Sequence, residues 1–243
     1  TMLAIYNNYY YIVLLLGGFI DIFFNSIRAS VGFSMVENDR SKNLANFQFI
    51  QFINCWCTSF FAICYICLIQ PFMQIWVGKS LMFNMETVIL FTILLYIWNI
   101  RKVNLVYKDA IGNWEIDMLK PYIESAINFF MSILLAKYIG VNGVIISSII
   151  CMLFIDFPWE IYAVNKISFH TSWWTLIKDG IYVSIVFIIL TPIMLFLLEQ
   201  FNSQDWTTFI PKVLACMLIP NIIFIMVFIK SPYLKRLFSI IHK

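Results

Sequence analysis

Polarity along the chain alternates between long apolar runs and short polar interruptions, and seven of the runs are long enough to cross a bilayer. A helix needs about 20 mostly apolar residues to span the hydrocarbon core. The runs predict helices near residues 5–25, 49–70, 82–106, 121–137, 141–162, 180–198 and 210–229. Ile145-Ile146 followed by Ile149-Ile150 repeats at helical spacing, unlike the alternating strands of a membrane barrel. The expected fold class is all-α, a polytopic membrane bundle in which residues 1–243 form a single transmembrane domain. The hydrophilic stretches Met35 to Asn46, Lys108 to Lys120, Asn165 to Asp179 and Glu199 to Pro211 leave no room for a soluble domain, and no internal repeat is evident.

Composition sharpens this reading. Apolar residues make up 62% and charged residues 12% of the 243, against about 45–50% and about 25% in an average soluble domain, which excludes a water-soluble globule. A net charge of +3 gives no basic surface for nucleic acid and no acidic disordered tail.

The few cations are unevenly placed. When loops are assigned alternately to two sides, thirteen of the sixteen Lys and Arg fall on one: Arg28, Arg40, Lys42, Arg101, Lys102, Lys108, Lys120, Lys166, Lys178, Lys230, Lys235, Arg236 and Lys243. Only Lys79, Lys137 and Lys212 fall on the other. Because Lys and Arg resist translocation, the expectation is a cytoplasmic C-terminus and an external N-terminus. The chain opens Thr1-Met2, carries no cation before Arg28 and shows neither a basic n-region nor a signal cleavage site. It is therefore expected to be a C-terminal piece of a longer protein with earlier helices.

Polar groups inside the spans carry the candidate chemistry. Asp21, Asn25 and Arg28 share one face of the first helix, and Glu124, Asn128 and Ser132 share one face of the fourth, which Pro121 opens. Asp or Arg at a helix centre costs about 2.5–3.5 kcal/mol on insertion scales, so both stripes are expected to face partners or a wet cavity. The third helix runs into Asn99-Ile-Arg-Lys-Val-Asn104 and Tyr107-Lys-Asp-Ala-Ile-Gly112, and Asp156, Pro158 and Glu160 end the fifth nearby. Cations at that depth suit lipid-headgroup phosphates. Plainer roles stay open beside these. Arg28 can snorkel with Asp21 paired to it, Glu124 can complement a helix N-terminus, Asn128 can join helices, and Arg101 and Lys102 can act as topology signals and anionic-lipid anchors. Gly143 and Ser147 have the small-xxx-small spacing of close helix packing, and Tyr9 to Tyr11 and Trp173-Trp174 mark membrane interfaces.

Catalytic patterns are missing. Cys55, Cys57, Cys64, Cys67, Cys151 and Cys216 lie in apolar runs with only His170 and His242 to join them, so Cys64-x-x-Cys67 reads as helix filling and no metal or cofactor is expected. No Walker loop, nucleophile elbow or His-Glu-x-x-His motif occurs. A chain rich in spans and poor in loops points to a transporter sooner than an enzyme.

Several segments carry a family resemblance: Ser26-Ile-Arg-Ala-Ser-Val-Gly32, Arg101-Lys102, Lys108-Asp-Ala-Ile-Gly-Asn-Trp-Glu-Ile-Asp117, Lys120-Pro-Tyr-Ile-Glu-Ser-Ala-Ile-Asn128, Lys137-Tyr-Ile-Gly-Val-Asn-Gly-Val144 and Pro158-Trp-Glu160. In these the chain resembles the C-terminal half of the polysaccharide flippases of the multidrug/oligosaccharidyl-lipid/polysaccharide exporter superfamily, which serve O-antigen and capsule assembly. It departs from the family pattern at Met118-Leu119, where a basic or aromatic pair is frequent, and at Ser147-Ser148, where Gly-Thr is expected. The resemblance implies one lobe, less its opening helix, of a two-lobed bundle of twelve to fourteen helices in a bacterial inner membrane. Such a bundle moves an undecaprenyl-diphosphate-linked oligosaccharide by alternating access, breaking no covalent bond. The translocation-cavity residues expected on this reading are Asp21, Asn25, Arg28, Lys102, Lys108, Asp109, Glu124 and Asn128. Arg28 with Lys102 or Lys108 would attract the diphosphate, Asn25 and Asn128 would bind sugars, and Asp21 or Glu124 would carry a coupling proton. H+ or Na+ is the candidate coupling ion, and membrane lipids and polysaccharide assembly proteins are the expected partners. The rival readings are a small-cation or multidrug exporter of the same superfamily, which should prefer acidic and aromatic walls, and an integral-membrane polysaccharide polymerase or acyltransferase.

Overall fold

The computed structural model describes residues 2–36, 39–112, 115–199 and 205–241, and the regular structure among them is entirely helical. Asn113, Trp114, His242 and Lys243, invoked above, lie outside the described residues. Eight helices follow in order: α1 Met2–Val36, α2 Arg40–Trp76, α3 Met85–Ala110, α4 Lys120–Ile139, α5 Val141–Phe169, α6 Trp173–Glu199, α7 Trp206–Phe228 and α8 Pro232–Ile241. Seven of them, all but α8, are long and apolar enough to cross a membrane, as expected of a multi-pass membrane protein.

The helices overrun the hydropathy-based limits. α2 has 37 residues and α1 has 35. At about 1.5 Å per residue each measures roughly 52–55 Å, beyond the ~40–45 Å of a whole bilayer with its headgroups. Hydropathy marks only the stretch in hydrocarbon. The polar continuations Arg40 to Asn46, Lys108 to Ala110 and Trp173 to Asp179, which the sequence suggested were loops, stay helical because backbone hydrogen bonding remains internal past the hydrocarbon boundary. Local signals then set the ends. Asp39 caps α2 by accepting from the Lys42 amide at 3.1 Å, Asn84 caps α3 at the Thr87 amide, and Asp205 with Thr208 forms a capping box at α7. Gly140, at φ 60°, ends α4 and releases α5 at the next residue.

Successive spans run antiparallel, with α2 and α3 at the centre. Their apolar windows are 61% buried against none for α4. α2 packs against α1, α3, α6 and α7; α5 lies on α3, and α4 packs chiefly on α5. The main core joins Tyr9, Phe52, Ile63, Met73, Phe91 and Leu95 to Val183, Met194 and Phe224. A second core, around Phe24, Phe47, Val103, Tyr107, Ile161 and Phe169, fills the end rich in Lys and Arg, called here the basic end. At the opposite end Tyr9 donates to Gln70 Oε1 (3.0 Å) and accepts from the Phe83 amide (3.2 Å), while Gln70 donates to the Phe83 carbonyl (2.7 Å). This triangle ties α1 to the α2–α3 connection. The six cysteines are free thiols; Cys64 donates to the Cys216 carbonyl at 3.7 Å, so it serves α2–α7 packing.

Helices α4 and α5 approach closely at Gly143. A Cβ there would lie 2.4 Å from the Leu135 carbonyl carbon and 2.5 Å from its oxygen. Backbone cannot yield as a side-chain tip can, and overpacking of this kind costs about 1–3 kcal/mol. Gly143→Ala is therefore expected to lower the melting temperature of the detergent-solubilised protein and weaken cross-linking between cysteines placed on facing positions of α4 and α5. Gly18→Ala, with nothing within 4 Å of the added Cβ, is the comparison expected to melt as the wild type does.

Candidate functional site

The polar chemistry is organised around α3. Arg101 stands where the segment Met85–Ile100 passes into Lys102–Ile111, and its side chain points to α5. Its Nη1 lies 2.9 Å from Asp156, while Nε and Nη2 donate to the two oxygens of Glu160 at 3.1 and 2.5 Å. Lys120, at the start of α4, donates to Glu160 at 2.7 Å and lies 3.6 Å from Asp156. All four are deeply buried: Glu160 is 0% exposed, Asp156 1%, and Arg101 and Lys120 6% each. α5 widens into a π-helical turn over Met152–Asp156, so Asp156 emerges from an irregular turn one helical turn before Glu160. The two cations match Asp156 and Glu160, with Glu124 of α4 beside Asp156 as a third carboxylate, and the planar guanidinium reaches both Asp156 and Glu160 at once, as an ammonium could not. Trp159 donates to the Ile116 carbonyl at 2.9 Å and holds the preceding turn, Glu115–Asp117, against α5.

A second set of ion pairs laces α1 to α3. Lys102 donates to Asp21 and lies 5.2 Å from the Trp98 ring centroid. Arg28 is 3.8 Å from Asp109, and Lys108 pairs with Asp117 and lies 3.7 Å from Asp109. This ladder is open only on its α1 side, where the side chains of Arg28 and Asp21 are 50% and 42% exposed; Lys102 and Lys108 on α3 are 12% and 8% exposed. A third cluster joins α4 to α5, where Asn128 Oδ1 accepts from Ser147 (2.8 Å) and Ser132 (3.2 Å). Buried amides add a seam through the centre: Asn54 donates to the Asn99 carbonyl at 2.9 Å and Asn99 to the Leu95 carbonyl at 2.7 Å, with Gly17 of α1 leaving room beside Asn99.

The eight residues named from sequence thus divide. Asp21, Arg28, Lys102, Lys108 and Asp109 come together in the ladder. Glu124, half-buried one turn after Lys120, and Asn128 lie on the α4–α5 seam; Asn25 is exposed on α1. They do not converge on one vestibule within this chain, because in a low-dielectric setting each charge takes the nearest opposite charge across a helix interface. The pockets among these helices hold about 190 to 360 Å³, the size of a headgroup and smaller than an oligosaccharide. Sequence reasoning left Arg101, Lys120, Asp156 and Glu160 out of the site. Their separate polar signals were visible, but their pairing spans 59 residues between Arg101 and Glu160, which no local pattern encodes. No protein-family model, curated protein or solved structure matches the chain.

Removing one partner from a buried pair strands the other charge, at a cost of about 3–5 kcal/mol. Arg101→Gln is expected to cut folded yield and melting temperature sharply, and the double variant R101Q/E160Q to recover much of the loss. An R101Q protein that melts like the wild type would mean that the quartet does not hold α3 to α5.

Proposed function

We propose that this chain forms one lobe of a flippase that carries a lipid-diphosphate-linked oligosaccharide across a bacterial inner membrane by alternating access, for O-antigen or capsule assembly. The segments resembling the polysaccharide flippases support it, as does the multi-pass helical fold. The observation that carries it is the half-open ladder on α1 and α3. Arg28 and Lys102 lie toward the basic end, each held by a carboxylate that an incoming diphosphate can replace. The planar fork of Arg28 suits two phosphate oxygens, and Lys102 adds a mobile point charge. Only 22% of the apolar window of α1 is buried, which leaves a face for a second lobe; the large cavity that the substrate needs would then lie between lobes. In this reading the quartet keeps α3, α4 and α5 rigid while the lobe rocks. The charge asymmetry supports a cytoplasmic basic end and α8 in this reading. The step transports without forming or breaking a covalent bond, driven by an ion gradient or by the lipid's own concentration difference.

Proteoliposomes carrying the full-length protein test this directly with a fluorescent undecaprenyl-diphosphate oligosaccharide. Hydrogen bonds to charged groups contribute about 1.5–3 kcal/mol, so Arg28→Gln and Lys102→Gln should each slow flipping by roughly 10- to 100-fold. Arg28 is half exposed, so R28Q should melt near the wild type; Lys102 is largely buried but its partner Asp21 is 42% exposed and stays hydrated, so K102Q should lower the melting temperature far less than R101Q. Flipping no faster than in protein-free vesicles, or equal rates in wild type and variants, would overturn the proposal.

A further inference from the structure

At the basic end α1 and α2 part around a pocket of about 250 Å³, and α8 supplies its cation. α8 is firmly docked. Leu234 is 1% exposed, the Tyr233 ring stacks on Phe52 with centroids 5.3 Å apart, and Tyr233 donates to Asp179 at 2.8 Å. Burial, and then the neighbouring Asp179, hold that phenol protonated well above its ordinary range, so the anchor persists at any physiological pH. Three residues after Tyr233, Arg236 reaches into the pocket. It donates to Asn46 Oδ1 at 2.6 Å, and its guanidinium carbon lies 4.4 Å from the Phe49 ring centroid. Among the described residues no carboxylate lies within 4 Å of it. The guanidinium is thus oriented from two sides and keeps N–H groups free for an anion.

The walls change character with depth. α1 descends toward the basic end and α2 rises from it, so Ser34 and Asn46 lie near the surface while Ile27 and Ile50 lie deeper. Counted at about 1.5 Å per residue, Asn46 is roughly 9 Å from the start of α2 and Ile50 roughly 15 Å. If α2 is centred on a ~30 Å hydrocarbon core, about 12 Å of it projects at each end, which puts Asn46 in the headgroup layer and Ile50 inside the apolar boundary. Ser34 and Asn43 bond to each other in both directions, closing the pocket on the aqueous side. Exposed Phe238 and Ile240 flank the docked face of α8 on its two sides and Lys235 stands on the outer face, the arrangement of a helix lying in a membrane interface.

We propose that this pocket binds the phosphate of an anionic membrane lipid. The fork of Arg236 takes the phosphate oxygens, the Ser30 hydroxyl donates alongside, and the first acyl methylenes lie over Ile27 and Ile50. The volume admits a phosphate and the top of a chain, with the remainder running out between α1 and α2 into the bilayer. Inorganic phosphate shares the head chemistry but leaves the apolar depth unfilled. The site stands apart from the α1–α3 ladder and does not depend on the transport reading.

The test is lipid retention by the full-length protein. The protein is reconstituted in phosphatidylcholine bilayers with a minor share of phosphatidylglycerol, extracted in neutral detergent, and its bound lipid counted by native mass spectrometry. The wild type should keep phosphatidylglycerol over phosphatidylcholine, and Arg236→Gln should lose that retention by about tenfold. Lys235→Gln, the same charge change on an exposed neighbour, should keep it. Ser30→Glu places a carboxylate at the head position without touching α8 and should expel the lipid while melting like the wild type. Equal retention by wild type and R236Q, an equal loss in K235Q, retention by S30E, or displacement of the lipid by millimolar inorganic phosphate would each overturn the proposal.

Discussion

A charge in hydrocarbon must be matched at once or not be there, and the basic half of this bundle is organised by that constraint. Arg101, Lys120, Asp156 and Glu160 occur on three successive spans, and any one of them alone would be strongly unfavourable at its depth. Brought together they match one another, and in doing so they fix the height and rotation of α3, α4 and α5 relative to one another. α4 illustrates the dependence. Its apolar window buries nothing, so hydrophobic packing alone specifies its position weakly; Lys120 at its foot, the Asn128–Ser147 bond midway and the Gly143 contact near its top supply the specification.

The contrast between quartet and ladder separates structure from working surface. Both consist of ion pairs between neighbouring helices, yet one is dry and the other half open. Charges at 0 to 6% exposure gain nothing by exchanging partners, whereas Arg28 at 50% is hydrated and only loosely bound to Asp109 at 3.8 Å. A weak, wet pair is destabilised little when an anion intrudes. Conserving a dry pair through a conformational cycle and trading a wet one fits a carrier that must remain folded while its contacts alternate.

Much of this was legible in the sequence, for reasons that can be named. Seven spans follow from apolar length, since bilayer thickness sets a fixed minimum on every one. The α1 members of the ladder, Asp21 and Arg28, are readable because they share one helical face within an apolar background, whereas Asn25 on the same face stays exposed and outside the ladder. Helix ends were misjudged where Arg40 to Asn46 and Trp173 to Asp179 stay helical in the headgroup layer, a zone hydropathy treats as loop. α8 was missed because ten residues are too few to span, although Tyr233, Leu234, Leu237 and Phe238 repeat at amphipathic spacing. The pairing of charges was not readable: polarity along a chain says that Asp156 needs a partner but not that Arg101, rather than Lys102, supplies it.

The triangle of Tyr9, Gln70 and Phe83 pins α1 by hydrogen bonds at one end, while Ile20, Phe24 and Val31 hold the rest of it by apolar packing beside the ladder. Arg28 lies nineteen residues from that pivot, a lever arm of roughly 28 Å at about 1.5 Å per residue. A swing of only about 5° displaces its guanidinium by roughly 2.5 Å, enough to part it from Asp109, while Tyr9 hardly moves. The fulcrum and the load thus sit toward opposite ends of one helix, and a tilt too small to break the triangle is large enough to part the Arg28–Asp109 pair.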